Sequence, residues 1–278
     1  MFRSMFHSMS ERGRKTSRPA PANTAEGGSS LSNYVSQGYL DASRRPLEIL
    51  FFLLPFIALY EYELVRVLRS ADGLVTNGAH LAILRLFDAF GLDAVALSLP
   101  GLLLVAIFLV QHVLSRSPWI VDLSVVARMF GESAGLAVPL LVFAALLERM
   151  TPTAGIDDFS ALPLAARIAV SIGAGLYEEL VFRMALIGVL AFALVELLKL
   201  QKPIAVAVAI GLSSLAFAAY HPLRDATGAV SPQRFIFFLG GGLYFGILYV
   251  HRGFGIAAAT HALFDIATAM LIPPPDAV

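Results

Sequence analysis

Long apolar stretches, separated by short polar or proline-containing breaks, occupy most of the chain after residue 45. A membrane-spanning helix needs about 20 mainly apolar residues. Stretches that approach this length lie at 47–68, 94–114, 134–147, 204–220, 235–250 and 254–272. A longer one, 163–200, can cross the bilayer once or twice, and 80–92 has the spacing of a helix at the membrane surface. The pattern predicts an all-α fold: a polytopic membrane helical bundle with about seven to eight transmembrane helices.

The composition also indicates a membrane protein. The chain is 58% hydrophobic and 14% charged, with a mean hydropathy of +0.76, whereas soluble domains are about 25% charged. The formal net charge is zero, so the sequence shows no basic footprint for nucleic acid. Cysteine is absent, which excludes disulfides, thiol nucleophiles and cysteine-bound zinc.

Residues 1–45 differ from the rest, since they are rich in Ser, Gly, Pro and Ala and carry seven Arg or Lys against three Asp or Glu. This composition predicts a disordered basic tail. Arg44 and Arg45 adjoin the first apolar stretch, which favours a cytoplasmic amino terminus by the positive-inside rule. We expect amino-terminal transmembrane helices over 46–160, a second helical core over 161–272, and a location in the cell membrane.

Two adjacent carboxylates, Glu178 and Glu179, lie in the long apolar segment, with Arg183 four residues after the second. A charge at bilayer depth costs several kcal/mol, roughly 3 to 10, so such residues usually mark a functional site. Residues four apart share a helix face, so Glu179 and Arg183 can pair. Glu178 points elsewhere, and a desolvated carboxylate without a local cation is a candidate general base.

Two further clusters follow on later apolar stretches: Phe217-x-x-x-His221, and His261-x-x-x-Asp265 on one helical face. A single histidine at a helix end is more often a cap, and Phe217 alone is an ordinary core residue. A buried His-Asp pair is harder to explain structurally, because burying both groups costs energy. The three clusters together indicate a functional site.

EExxxR, FxxxH and HxxxD, in this order on successive late helices, resemble the CAAX prenyl protease 2 and bacteriocin-processing (CPBP, or Abi) family of intramembrane proteases. The resemblance covers about residues 162–271. It implies a helical core with a cavity within the membrane, and hydrolysis of peptide bonds in membrane-associated, hydrophobic or prenylated (CAAX-type) substrates. Membrane lipid is the other expected partner.

The resemblance also implies roles for the individual residues. Glu178 and His221 would activate water, His261 and Asp265 would act at the scissile carbonyl, and Glu179, Arg183 and Phe217 would support them. Asp265 departs from the family, where asparagine is common. An ionised aspartate only accepts hydrogen bonds, so Asp265 must either be protonated or orient His261 by accepting its ring N–H.

Three alternatives remain at the level of sequence. Glu178, His221, His261 and Asp265 are acceptable zinc ligands by type, so a divalent metal is the rival cofactor, although no HExxH occurs. A transporter would also place ionisable residues within the membrane, but the sequence lacks paired broken helices in symmetric halves. A non-catalytic immunity or partner protein on the same fold is the third.

Overall fold

The computed structural model describes residues 38–70, 73–74, 76–92, 99–150, 162–225 and 227–271. The described part is mainly helical, with π-helical segments at Leu64–Leu68 and Glu179–Ile187. Two two-residue strands, β1 (Arg69–Ser70) and β2 (Gly73–Leu74), pair antiparallel. The prediction of a mainly helical fold is therefore confirmed. The helices are α1 (Tyr39–Ala42), α2 (Pro46–Glu63), α3 (Gly78–Ala89), α4 (Leu99–Ser115), α5 (Leu123–Met150), α6 (Leu164–Glu178), α7 (Gly188–Glu196), α8 (Lys202–Tyr220), α9 (Pro232–Arg252) and α10 (Phe254–Leu271).

Three helical segments among the described residues are long and apolar enough to cross a membrane: Leu123–Leu147, Lys202–Tyr220 and Pro232–Arg252. Pro100–Ser115 and Phe254–Met270 are apolar but shorter. The predicted number of seven to eight spans is thus not confirmed. Helix α2 is long enough, but it carries Glu48, Glu61 and Glu63, and these charges lower its apolar character.

The predicted long helix is continuous, but it is not uniformly α-helical. Helix α6 ends at Glu178, the π-helical segment Glu179–Ile187 follows without a break, and α7 completes the helix. The Ser213 hydroxyl donates to the Phe182 carbonyl at 2.6 Å, which satisfies a backbone acceptor inside this segment. Wide helical turns of this kind often occur at functional sites. Here the change of helix type falls between the two adjacent glutamates.

Helices α6 and α10 pack with their backbones in close contact. A Cβ built at Gly175 would lie 2.6 Å from both the Ala258 carbonyl oxygen and the Ala262 amide nitrogen. Only glycine leaves room for this approach. Glu178 and Glu179 lie within about one turn after Gly175, and His261 lies between the two contacted alanines. The contact therefore brings the first and third ionisable clusters together.

The predicted disordered tail lies largely outside the described residues, which begin at 38. Its last residues include α1 and the buried Arg45, which pairs with Glu48 at 3.4 Å. Nearby, Arg252 donates to the Ser43 hydroxyl at 3.1 Å, and the Arg44 side chain lies beside Gly253. Basic residues at the start of the bundle and at the end of α9 therefore share one end of the molecule.

Candidate active site

Glu178 lies at the centre of the ionisable residues and is 4% exposed. Its Oε2 atom faces the Nε2 atoms of two histidines, that of His221 at 3.6 Å and that of His261 at 3.9 Å. Its Oε1 atom is 3.5 Å from the hydroxyl of Tyr220, which donates to it. Three polar groups, two from the end of α8 and one from α10, thus converge on this carboxylate.

His221 is held by contacts on its ring edge and on its face. It ends α8 in an extended conformation, as expected for a residue before proline, and Pro222 follows it. Its Nδ1 is 2.8 Å from the Phe217 carbonyl oxygen. Since a carbonyl only accepts, Nδ1 carries the proton, and Nε2 of the neutral ring is an acceptor. The ring also stacks on Phe238 at 4.1 Å between centroids.

The connection after His221 is a compact turn. Asp225 accepts hydrogen bonds from the Thr227 amide at 2.8 Å and from the Thr227 hydroxyl at 2.6 Å. These bonds stabilise the ionised carboxylate and hold the pKa of Asp225 below its usual value. The turn therefore gives the chain a fixed path out of the site.

His261 is oriented by Glu179, a carboxylate for which the sequence predicted only a contact with Arg183. Its Nδ1 is 2.8 Å from Glu179 Oε1, so Nδ1–H donates and Nε2 points towards Glu178. The ring stacks on Phe245, with centroids 4.4 Å apart and an interplanar angle of 18°. A carboxylate that fixes one ring nitrogen leaves the other one aimed at the reacting group.

Glu179 also contacts Arg183, and both side chains are buried. Glu179 Oε1 lies 3.2 Å from Arg183 Nη1, and the guanidinium is 4.2 Å above the Phe217 ring. Arg183 also donates to the Gly242 carbonyl at 3.4 Å. The arginine balances one of the two adjacent carboxylates, and its stacking on Phe217 gives that phenylalanine a part in the site.

Asp265 lies on the more open side of the cluster, with its side chain 26% exposed. Its Oδ2 atom is 3.5 Å from His261 Nε2. Glu179 accepts the hydrogen bond from His261 Nδ1. The other ring nitrogen of His261, Nε2, therefore faces both Asp265 and Glu178. It therefore lies where it can contact a group bound between Glu178 and His261.

The metal alternative depends on the geometry of the four residues that the sequence suggests as ligands. The donor types suit zinc. Among the described residues, however, no group of three or more His, Asp or Glu side chains is arranged to hold a metal ion. Both Nδ1 atoms are bonded to protein groups, and both Nε2 atoms face Glu178. Metal-binding histidines also commonly donate their second ring nitrogen to a protein acceptor. Activity after chelation therefore distinguishes a metal-dependent from a glutamate-dependent reaction.

The sequence reasoning missed Tyr220 and the start of α3. Tyr220 precedes His221, but a tyrosine at a helix end carries no signal for a contact with Glu178. Helix α3 is about 100 residues before the first glutamate, and nothing in its amphipathic pattern indicates that it reaches the site. Only the tertiary arrangement shows that Tyr220 contacts Glu178 and that Gly78, at the start of α3, lies against Tyr220.

Comparison with known proteins gives a family match over part of the chain. Residues 160–267 match the family model described as type II CAAX prenyl endopeptidase Rce1-like. The resemblance to CAAX-type proteases is confirmed. The Rce1-like segment includes α6, the π-helical segment, α7, α8, α9 and most of α10, and hence Glu178, Tyr220 and all the histidine, carboxylate and arginine side chains of the site described above, but not α3. Searches of curated proteins and of solved structures gave no significant match.

The Rce1-like match and the apolar helices together identify an integral membrane protein. They also support a CAAX protease-like enzyme. The match begins at residue 160, so α1 to α5 lie outside it.

Proposed function

We propose that the protein is an intramembrane endopeptidase that hydrolyses peptide bonds of membrane-associated or prenylated CAAX-type substrates. The observation that carries the proposal is the convergence of Glu178 Oε2 with the Nε2 atoms of His221 and His261. These atoms are too far apart for direct hydrogen bonds, but their spacing suits a shared water molecule.

Glu178 and His221 present two acceptors to that water. Glu178 contributes Oε2, and His221 contributes Nε2, because its Nδ1 proton is bonded to the Phe217 carbonyl. With both hydrogens directed at these acceptors, a lone pair of the water oxygen is free to attack the scissile carbonyl carbon. The new carbon–oxygen bond forms as one water proton passes to the Glu178–His221 pair.

His261 acts on the other side of the carbonyl. With protons on both ring nitrogens, it donates through Nδ1 to Glu179 and through Nε2 to the developing oxyanion. Asp265, close to Nε2, contacts the same region. When the carbon–nitrogen bond breaks, the proton held by Glu178 and His221 passes to the leaving amine, and the products are a carboxylate and an amine.

The test is cleavage of a fluorogenic peptide with a prenylated cysteine near its carboxyl terminus by the purified protein in proteoliposomes, after exhaustive chelation. Glu178→Gln removes the base, so we expect turnover to fall by about 100- to 10,000-fold. Glu196→Gln is the matched control, because Glu196 lies on the same continuous helix but is 51% exposed and paired with Lys199. Equal cleavage by wild type and Glu178→Gln would contradict the proposal.

A further inference from the structure

The hydroxyl of Tyr220 lies between the candidate catalytic carboxylate and a helix from the part of the chain outside the Rce1-like match. On one side it donates to Glu178 Oε1 at 3.5 Å. On the other side it meets the first turn of α3, where the backbone of Gly78 and Ala79 is close enough to hydrogen-bond to it. The first amides of a helix have no partners within the helix. If they donate to the tyrosine oxygen, its own hydrogen is directed towards Glu178.

Glycine at position 78 makes this contact possible. A Cβ built there would lie 2.6 Å from the Tyr220 oxygen and 2.9 Å from its Cε2 atom. Real Cβ atoms do not come so close to other atoms, so a side chain at this position must displace the tyrosine ring. The hydroxyl then no longer lies where the structure places it, between α3 and Glu178 Oε1, and its hydrogen bond to Glu178 changes.

Helix α3 is itself fixed at this point. The Asn77 side chain caps it by accepting from the His80 amide at 2.8 Å. The His80 ring packs edge-on against Tyr177, the neighbour of Glu178, with 4.9 Å between centroids. The start of α3 is thus tied to α6 beside the active carboxylate, and it presents a rigid surface to Tyr220.

We propose that Tyr220, held in place by the first turn of α3, is a positioning residue for Glu178. By donating to Oε1 it fixes the rotation of the carboxylate so that Oε2 faces the two histidines. This inference rests on the proposed function. It also gives the amino-terminal part of the chain a defined role in the site.

The kinetic test uses Tyr220→Phe, Gly78→Ala and their double variant with the prenylated fluorogenic peptide. We expect each single variant to lower kcat by about 10- to 100-fold, as for loss of a hydrogen bond to a charged group, with KM nearly unchanged. The double variant should be no slower than Tyr220→Phe, because both changes remove the same contact. Gly211→Ala, on α8, should match the wild type, because no neighbouring atom in the described part of the chain lies within 4 Å of the added methyl group.

Tyr220→Phe with wild-type kcat would overturn the inference, as would multiplicative losses in the double variant.

A second measurement does not depend on activity: the infrared carboxyl bands of Glu178, assigned by difference from Glu178→Gln. They should shift in Tyr220→Phe and Gly78→Ala but not in Gly211→Ala, and unshifted bands would refute the contact. Absence of cleavage by the wild type with shifted bands would instead count against the proposed function alone.

Discussion

Two neighbouring glutamates have different surroundings because adjacent helical residues point about 100° apart. Glu179 turns towards Arg183 and His261 Nδ1, both within 3.2 Å. Among the residues that the structure describes, no arginine lies at such a distance from Glu178, which faces two imidazole nitrogens and a tyrosine hydroxyl. The same residue type therefore serves as a structural anchor at one position and as the proposed base at the next.

The buried pair of Glu179 and Arg183 should be important for stability. Arg183→Met leaves a buried carboxylate without its cation, and we expect a loss of about 3–5 kcal/mol in the free energy of unfolding. Lys199→Met is the control, because Lys199 pairs with Glu196 on an exposed face at 3.7 Å, and such pairs contribute about 0–1 kcal/mol. Denaturant titration in mixed micelles measures both. Equal losses would show that the buried pair is not structural.

The role of Asp265 at the scissile carbonyl can be tested with a variant that removes only its ability to ionise. Asp265→Asn keeps the shape and supplies an N–H donor, so we expect kcat/KM to stay within about tenfold of wild type. Asp265→Leu removes all hydrogen bonding and should lower kcat/KM by about 100-fold or more. Steady-state kinetics with the prenylated fluorogenic peptide measures kcat/KM of both variants. A leucine variant as active as the asparagine variant would exclude a role for Asp265 at the scissile carbonyl.

At the scale of elements, the junction of α6 with α10 sets the distance between the glutamates and His261. Gly175→Ala would force apart backbones that approach within 2.6 Å of the added methyl group. We expect a loss of about 1–3 kcal/mol in stability from overpacking, together with lower activity in the fraction that remains folded. Gly135→Ala is the control, because its added methyl group has no neighbour within 4 Å across the described ranges. Wild-type activity and stability in Gly175→Ala would contradict the proposed junction.

Local spacing predicts only part of this arrangement. The i, i+4 rule brings Glu179 beside Arg183, and hydropathy gives the approximate positions of the helices. Neither predicts that Glu179 also orients His261, 82 residues away, because that contact depends on how α6 packs against α10. The π-helical segment after Glu178 was not predicted either, because hydropathy and residue spacing do not distinguish π-helical from α-helical turns.

At the scale of the whole molecule, basic residues indicate an orientation. We propose that Arg44, Arg45 and Arg252, which share one end of the bundle, face the cytoplasm, as the positive-inside rule favours. Lys199 and Lys202 then lie inside as well, at the connection from α7 to α8. The turn at 221–231, at the other end of α8, lies on the opposite side.

The natural absence of cysteine makes this orientation directly measurable. Single variants Lys199→Cys and Thr227→Cys can be labelled with a membrane-impermeant maleimide in intact cells. We expect labelling of the Thr227→Cys variant only, with both labelled after the cells are opened. Labelling of the Lys199→Cys variant only would show that the protein has the opposite orientation. In that orientation the 221–231 turn faces the cytoplasm, and cytoplasmic prenylated proteins would approach the site from that side.

The central claim is that Glu178 activates the water that cleaves the peptide. It is tested most directly by mass spectrometry of the prenylated peptide after incubation with purified protein in heavy-oxygen water. Wild type and Glu196→Gln should give one new product whose terminal carboxylate carries a single heavy oxygen, and Glu178→Gln should give almost none. Formation of the same labelled product by Glu178→Gln at the wild-type rate, or no product from any protein, would contradict the proposed chemistry.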